Sequence, residues 1–267
     1  MTRDPNQKKK ARKKAEMQAK KDSSNAQEMG RAAAQRSMKR EAVKPMPKPK
    51  AKVKGPGKMP DGYNMKRPAE KLGYIHSMET MAETVHAVLS ELKVEKASII
   101  GHSMGGYVAL AFAEKFPQQL EKLVLLNSST VADSEERKEN RDRAKRLVKQ
   151  NKQAFISMAI KNLFTDENRN ALRTEINALV EEAVQLPEEY IIASVEGLKN
   201  RKDRTEILQQ YSGEKIIIAG KNDPVVPFKE IEAIAEKTNS TFISFEDGHM
   251  SYLENEEELL KVLNELF

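Results

Sequence analysis

Ala97-Ser-Ile-Ile-Gly-His-Ser-Met-Gly-Gly-Tyr-Val-Ala-Leu-Ala-Phe-Ala113 decides how the rest of the chain is read. A short apolar run, Ala97-Ser-Ile-Ile100, ends at Gly101-His-Ser-Met-Gly105, and a helical pattern begins at once. A serine becomes a nucleophile only beside a base, and only where a substrate can reach it. A tight strand–turn–helix corner projects Ser103 in that way, at the cost of crowding the backbone. Gly101 and Gly105, two residues before and two after, are expected to relieve the crowding. The helix aims its positive end at a developing oxyanion, for which the Met104 backbone N–H is the expected donor. A bare G-x-S-x-G is a weak pattern. Its place between an apolar run and a helix makes it a strong one.

Working outward, three more apolar runs follow: Leu123-Val-Leu-Leu126, Lys215-Ile-Ile-Ile-Ala219 and Thr241-Phe-Ile-Ser-Phe245. Near-continuous apolar runs separated by helical segments predict a buried parallel sheet with crossover helices. Met81, Ala82, Val85, Val88, Leu89 and Leu92 predict a helix before the first run, with Ser77 as its N-cap. Ala109–Phe116, Glu230–Lys237 and Glu256–Leu266 are expected to be helices of the sheet domain. Between residues 132 and 211 the strand signals vanish. Amphipathic segments there, such as Ala154–Phe164 and Ala171–Val184, predict a helical cap over the C-terminal edge of the sheet. The fold class is therefore α/β: a mostly parallel sheet of about four strands with flanking helices and a cap.

Upstream of this body the composition changes abruptly. Residues 1–71 hold 22 Lys+Arg and 7 Asp+Glu, whereas residues 72–267 hold 24 and 33. The overall charge of +6 thus joins a basic arm to an acidic body. The arm contains no Leu, Ile or Phe and carries seven of the eleven prolines. It cannot bury enough apolar surface to offset chain entropy, so residues 1–71 are expected to be a disordered tail preceding a domain at 72–267. Lys8-Lys-Lys-Ala-Arg-Lys-Lys14 suits nonspecific contact with a polyanion. No aromatic side chains are interleaved to stack bases.

Three segments together resemble the α/β-hydrolase family: Gly101-His-Ser-Met-Gly-Gly106, Ala219-Gly-Lys-Asn-Asp-Pro-Val-Val-Pro227 and Asp247-Gly-His-Met250. The resemblance implies Ser103 as nucleophile, His249 as general base and acid, and Asp223 as the group that orients His249, in the family's chain order. Asp247 is the rival partner for His249. The implied reaction is acyl transfer to water from a small-molecule acyl substrate, carboxylic esters first. Phe155, Met158 and Phe164 of the cap are the expected lining for an apolar acyl group.

The resemblance covers roughly residues 72–267. Family members begin with four further strands, and a His-Gly loop after the third donates a second oxyanion N–H. This chain has no His-Gly dipeptide. One lost donor costs on the order of 100–1,000-fold in rate. The Ala97–Ile100 strand would become an apolar edge, a template for self-association. A second reading therefore stands beside the hydrolase: a catalytically impaired remnant, or a chimeric or truncated chain, acting as a binding module. The lack of cysteine excludes a disulfide scaffold, a thiolate metal site and a cysteine nucleophile. No metal or organic cofactor is implied. No run of about 18 apolar residues or secretory signal is recognised, so a cytoplasmic location is expected.

Overall fold

The computed structural model describes residues 75–267. The tail expected at 1–71 lies outside the described residues. Four strands form one parallel sheet in the order β1-β2-β3-β4: β1 (Ala97–His102), β2 (Leu120–Leu126), β3 (Glu214–Gly220) and β4 (Thr241–Phe245). Each apolar run of the sequence is one of these strands. The expected bounds are short by as many as three residues at an end, because polar strand termini carry no apolar signal.

The runs are continuous because both faces of the sheet are covered. Leu123 and Leu125 of β2, with Ile217 and Ala219 of β3, enter the larger core. Val124, Leu126, Ile216 and Ile218 alternate with them into a second, smaller core. The larger core is closed by α1 (Met78–Glu91), α2 (Met104–Lys115) and α9 (Phe228–Thr238). Leu259 of α11 (Glu256–Leu266), which follows the one-turn helix α10 (Ser251–Glu254), closes the other face. Ser77 caps α1 as expected, its Oγ accepting from the Thr80 N–H at 3.1 Å. Among the described residues β1 has one strand neighbour, β2, and Ile100 is 41% exposed.

Between β2 and β3 run six helices: α3 (Glu135–Gln150), α4 (Lys152–Lys161), α5 (Asn168–Ala171), α6 (Arg173–Val184), α7 (Glu188–Lys199) and α8 (Thr205–Gln210). The highly charged stretch up to Arg146 lies in α3, initiated by the Ser134 side chain, which accepts from Arg137 N–H. Phe164 and Ile176 make a small apolar cluster with Met250, so this insertion meets the loop after β4. The last helix, α8, sits elsewhere: Leu208 belongs to the core under α2 and α9. Buried Arg204 holds α8 there, donating to Glu114 of α2 at 2.9 Å and to Glu79 of α1 at 2.6 Å.

Parallel registration aligns the carboxyl ends of all four strands. His102 pairs with Leu126, Leu126 with Ile218, and Gly220 with Phe245. The turns that leave these ends carry Ser103, Asp223 and His249. The sheet delivers three distant segments to one edge.

Candidate active site

Ser103 is the single residue between β1 and α2, with φ 50° and ψ −114°. A non-glycine residue held at positive φ costs about 1–3 kcal/mol, so the surroundings must impose it. They do so through the backbone. The Ser103 N–H donates to the Leu126 carbonyl at 3.0 Å, and its carbonyl accepts from Gly106 N–H at 3.0 Å and Ser128 Oγ at 2.7 Å. The crossing of strand end and helix start is close. A Cβ on Gly101 would lie 2.5 Å from the Gly105 carbonyl oxygen, so Gly101 is sterically required. A Cβ on Gly105 would meet nothing within 4 Å, contrary to the expectation that it relieves crowding. Gly106 carries that constraint instead, because a Cβ there would come within 2.2 Å of Ser128 Oγ. Met104 opens α2, where first-turn N–H groups have no carbonyl four residues back.

The Ser103 hydroxyl lies 2.8 Å from His249 Nε2, and His249 Nδ1 lies 2.8 Å from Asp223 Oδ2. The side chains of His249 and Asp223 are 1% and 2% exposed. Asp223 Oδ1 accepts from the N–H groups of Val225 and Val226 at 2.7 and 2.9 Å, which leaves Oδ2 directed at the imidazole. A buried carboxylate needs such donors. Asp247, the rival partner, is instead buried against Ser251, whose Oγ donates to its Oδ1 at 3.1 Å. Its Oδ2 is buried without a hydrogen-bond partner. Burial pushes the Asp247 carboxyl up to about 6 despite the Ser251 bond, and the charges of Glu254 and Asp223 add to the rise.

Three contributors escaped sequence reasoning. Asn127 holds φ 47° at the end of β2, a conformation asparagine tolerates better than most. Its Nδ2 donates to the Gly248 carbonyl at 3.0 Å and approaches Asp223 Oδ2 at 3.4 Å; its Oδ1 accepts from Ser251 Oγ at 2.7 Å. Its position just after the run Leu123–Leu126 was the available signal, since that strand end also feeds the site. His102 is a second, its Nε2 donating to the His249 carbonyl at 2.8 Å. Burial lowers the pKa of this imidazole, and the carbonyl it faces can only accept, which puts a proton on Nε2. Glu254 is the third, and no local pattern marks it.

A cavity of about 840 Å³ opens beside this cluster, lined by Phe164, Thr165, Asn222, Pro224, Asp247 and Glu254 among others. Neither Ser103 nor His249 lines it. Of the expected acyl-lining residues, Phe164 borders it but is fully buried against Ile176 and Met250. Phe155 and Met158 do not line it, and Met158 is 49% exposed on α4. Among the described residues no group of three or more His, Asp or Glu side chains is placed to hold a metal ion. No helix there is long and apolar enough to cross a membrane.

The family model for the alpha/beta hydrolase fold matches residues 56–256. The chain belongs to the α/β-hydrolase family. A thermophilic esterase from Thermogutta terrifontis is 30% identical to it, with TM-score 0.68 and 72% of each chain covered. RutD of Yersinia enterocolitica is 25% identical over 178 residues, 66% of this chain and 64% of that protein. A 2-hydroxy-6-oxononadienedioate/2-hydroxy-6-oxononatrienedioate hydrolase of Paraburkholderia phymatum is 27% identical over 131 residues, 47% of this chain and 39% of that one. The chain thus spans less than two thirds of the length of these curated relatives. The match to this family begins at residue 56, inside the stretch whose composition reads as tail.

Proposed function

We propose that this α/β-hydrolase is a serine hydrolase acting on a carboxylic ester or a related acyl substrate. One observation carries the reading: the unbroken path from Ser103 Oγ through the His249 imidazole to Asp223, with 2.8 Å at each step. In this mechanism His249 Nε2 takes the Ser103 proton as Oγ attacks the acyl carbon. Asp223, hydrogen-bonded to Nδ1–H, orients the ring and stabilises the imidazolium. The Met104 N–H at the start of α2 stabilises the oxyanion of the tetrahedral intermediate. His249 then gives its proton to the departing alcohol, and water repeats the sequence on the acyl-enzyme. The strained backbone at Ser103 supports this assignment, because such strain gathers at reactive residues. The esterase of Thermogutta terrifontis supports ester as the bond type.

A fluorophosphonate probe tests the reading. Wild type is expected to be labelled, and Ser103→Ala is expected to resist labelling while remaining folded. Labelling that does not depend on Ser103 would defeat it. Among the described residues β1 stands at the edge of the sheet, and this favours the second reading, an impaired hydrolase serving as a binding module. Folded protein that binds polyanions in a salt-sensitive way, yet never reacts at Ser103, would favour that outcome.

A further inference from the structure

His249 is held by its backbone as well as by its ring. Its N–H donates to the Leu163 carbonyl at 3.2 Å, and its carbonyl accepts from His102 Nε2 at 2.8 Å. The next N–H along, that of Met250, donates to Glu254 Oε2 at 3.0 Å. The other oxygen of Glu254 accepts from the Thr165 N–H at 3.1 Å and from Asn168 Nδ2 at 3.0 Å. Leu163 and Thr165 lie between α4 and α5, and Asn168 begins α5. One carboxylate therefore bridges the insertion to the loop that carries the imidazole. The contact is close: a Cβ on Gly248 would lie 2.7 Å from Glu254 Oε2 and 3.0 Å from Thr165 Cγ2. Phe164, Ile176 and Met250 pack in one apolar cluster, with Leu253 against it.

We infer that Glu254 is a positioning residue that locks segment 163–168 of the insertion to the His249 loop, so that the imidazole meets Ser103 only while the insertion is seated. The inference rests on the serine-hydrolase reading above. A carboxylate suits the task because both of its oxygens accept, and each bond to it is charge-assisted. Glutamine cannot replace it. Whichever way the amide is turned, its NH₂ faces an N–H donor on one side of the bridge. A misplacement of about 1 Å in the reacting geometry, caused away from the chemistry, can cost about 100-fold in rate.

The test compares wild type, Glu254→Ala, Glu254→Gln and Leu259→Ala as folded proteins. Leu259 packs in the core on the far face of the sheet, so its truncation lowers stability without touching the bridge. Two quantities are read: the rate of Ser103-dependent fluorophosphonate labelling, and the low-field proton NMR signal of His249 Nδ1–H. Glu254→Ala is expected to label more slowly by up to about 100-fold and to broaden or lose the signal. Glu254→Gln is expected to fall between it and wild type. Leu259→Ala is expected to match wild type in both, despite a lower Tm. Wild-type rate and signal in both Glu254 variants would overturn the inference. So would rate losses that follow Tm in all three variants. A wild-type protein that shows the NMR signal without labelling would defeat the hydrolase reading alone, and the signal in the Glu254 variants would still decide the positioning role.

Discussion

Ser128 Oγ donates to the carbonyl of Ser103 at 2.7 Å, and the Ser128 side chain fills the space that a Cβ on Gly106 would need. The strained serine is thus held from the segment that leaves β2, the neighbouring strand, as well as from its own turn. Gly106→Ala must displace Ser128 and break that bond. Overpacking of this kind costs about 1–3 kcal/mol. Gly105→Ala meets open space within a helix and should be neutral or stabilising by up to about 1 kcal/mol. Urea denaturation of the two variants should show the contrast. Equal effects would deny Ser128 its role at the corner.

Asp223→Asn is expected to fold, since an amide oxygen can still accept from Val225 and Val226. Its NH₂ would face His249 Nδ1 and favour the tautomer with the proton on Nε2, where it cannot accept from Ser103. A loss of about 10⁴-fold in turnover follows from the comparable change in other triads. Steady-state kinetics on a p-nitrophenyl ester would measure it, and a loss under about tenfold would remove Asp223 from the mechanism.

Asn127→Ala should lose the bonds to the Gly248 carbonyl and Ser251 while keeping an unfavourable positive φ. The Gly248 carbonyl would be left unsatisfied, at about 1–3 kcal/mol, whereas Ser251 Oγ keeps Asp247 Oδ1 as its acceptor. A destabilisation of about 1–3 kcal/mol in equilibrium unfolding is expected, together with reduced reactivity at Ser103.

Asp247 gives a pH-dependent stability term whose sign follows from its raised pKa. The folded state keeps this proton up to about pH 6, whereas the ordinary value is 3.8. Its stabilising contribution is therefore complete below 3.8 and is lost as pH rises through 6. Asp247→Asn removes the cost of burying the charge, which is on the order of 3 kcal/mol above pH 6. Thermal melts should show the variant gaining stability over wild type at pH 7.5 and little or none near pH 3.5. A gain that does not depend on pH would show that ionisation of Asp247 is not its source.

Those four relationships differ in how far the sequence reveals them. The run Thr241–Phe245 and the helix Glu256–Leu266 coincide with their sequence expectations. Both depend on local periodicity against an already covered surface. The short helix α8 is less legible, because its six residues pattern like the insertion before it. Only its packing under α2 and α9 assigns it to the body.

By itself, the sequence determined the order of strands and helices and put Ser103, Asp223 and His249 just beyond three strand ends. Apolar period and strand–turn–helix punctuation are local properties, so they survive without coordinates. Tertiary structure alone decided that Gly106 rather than Gly105 is the crowded glycine, and it seated Asp247 against Ser251 while Asp223, the partner the family resemblance implied, faces the imidazole. It also decided that Asn127, His102 and Glu254 hold the loops in place. Each of those choices is a contact between segments brought together by parallel registration of the sheet, and His249 meets Ser103 across 146 positions of chain. A bond between such distant residues leaves no periodic trace in the sequence of either.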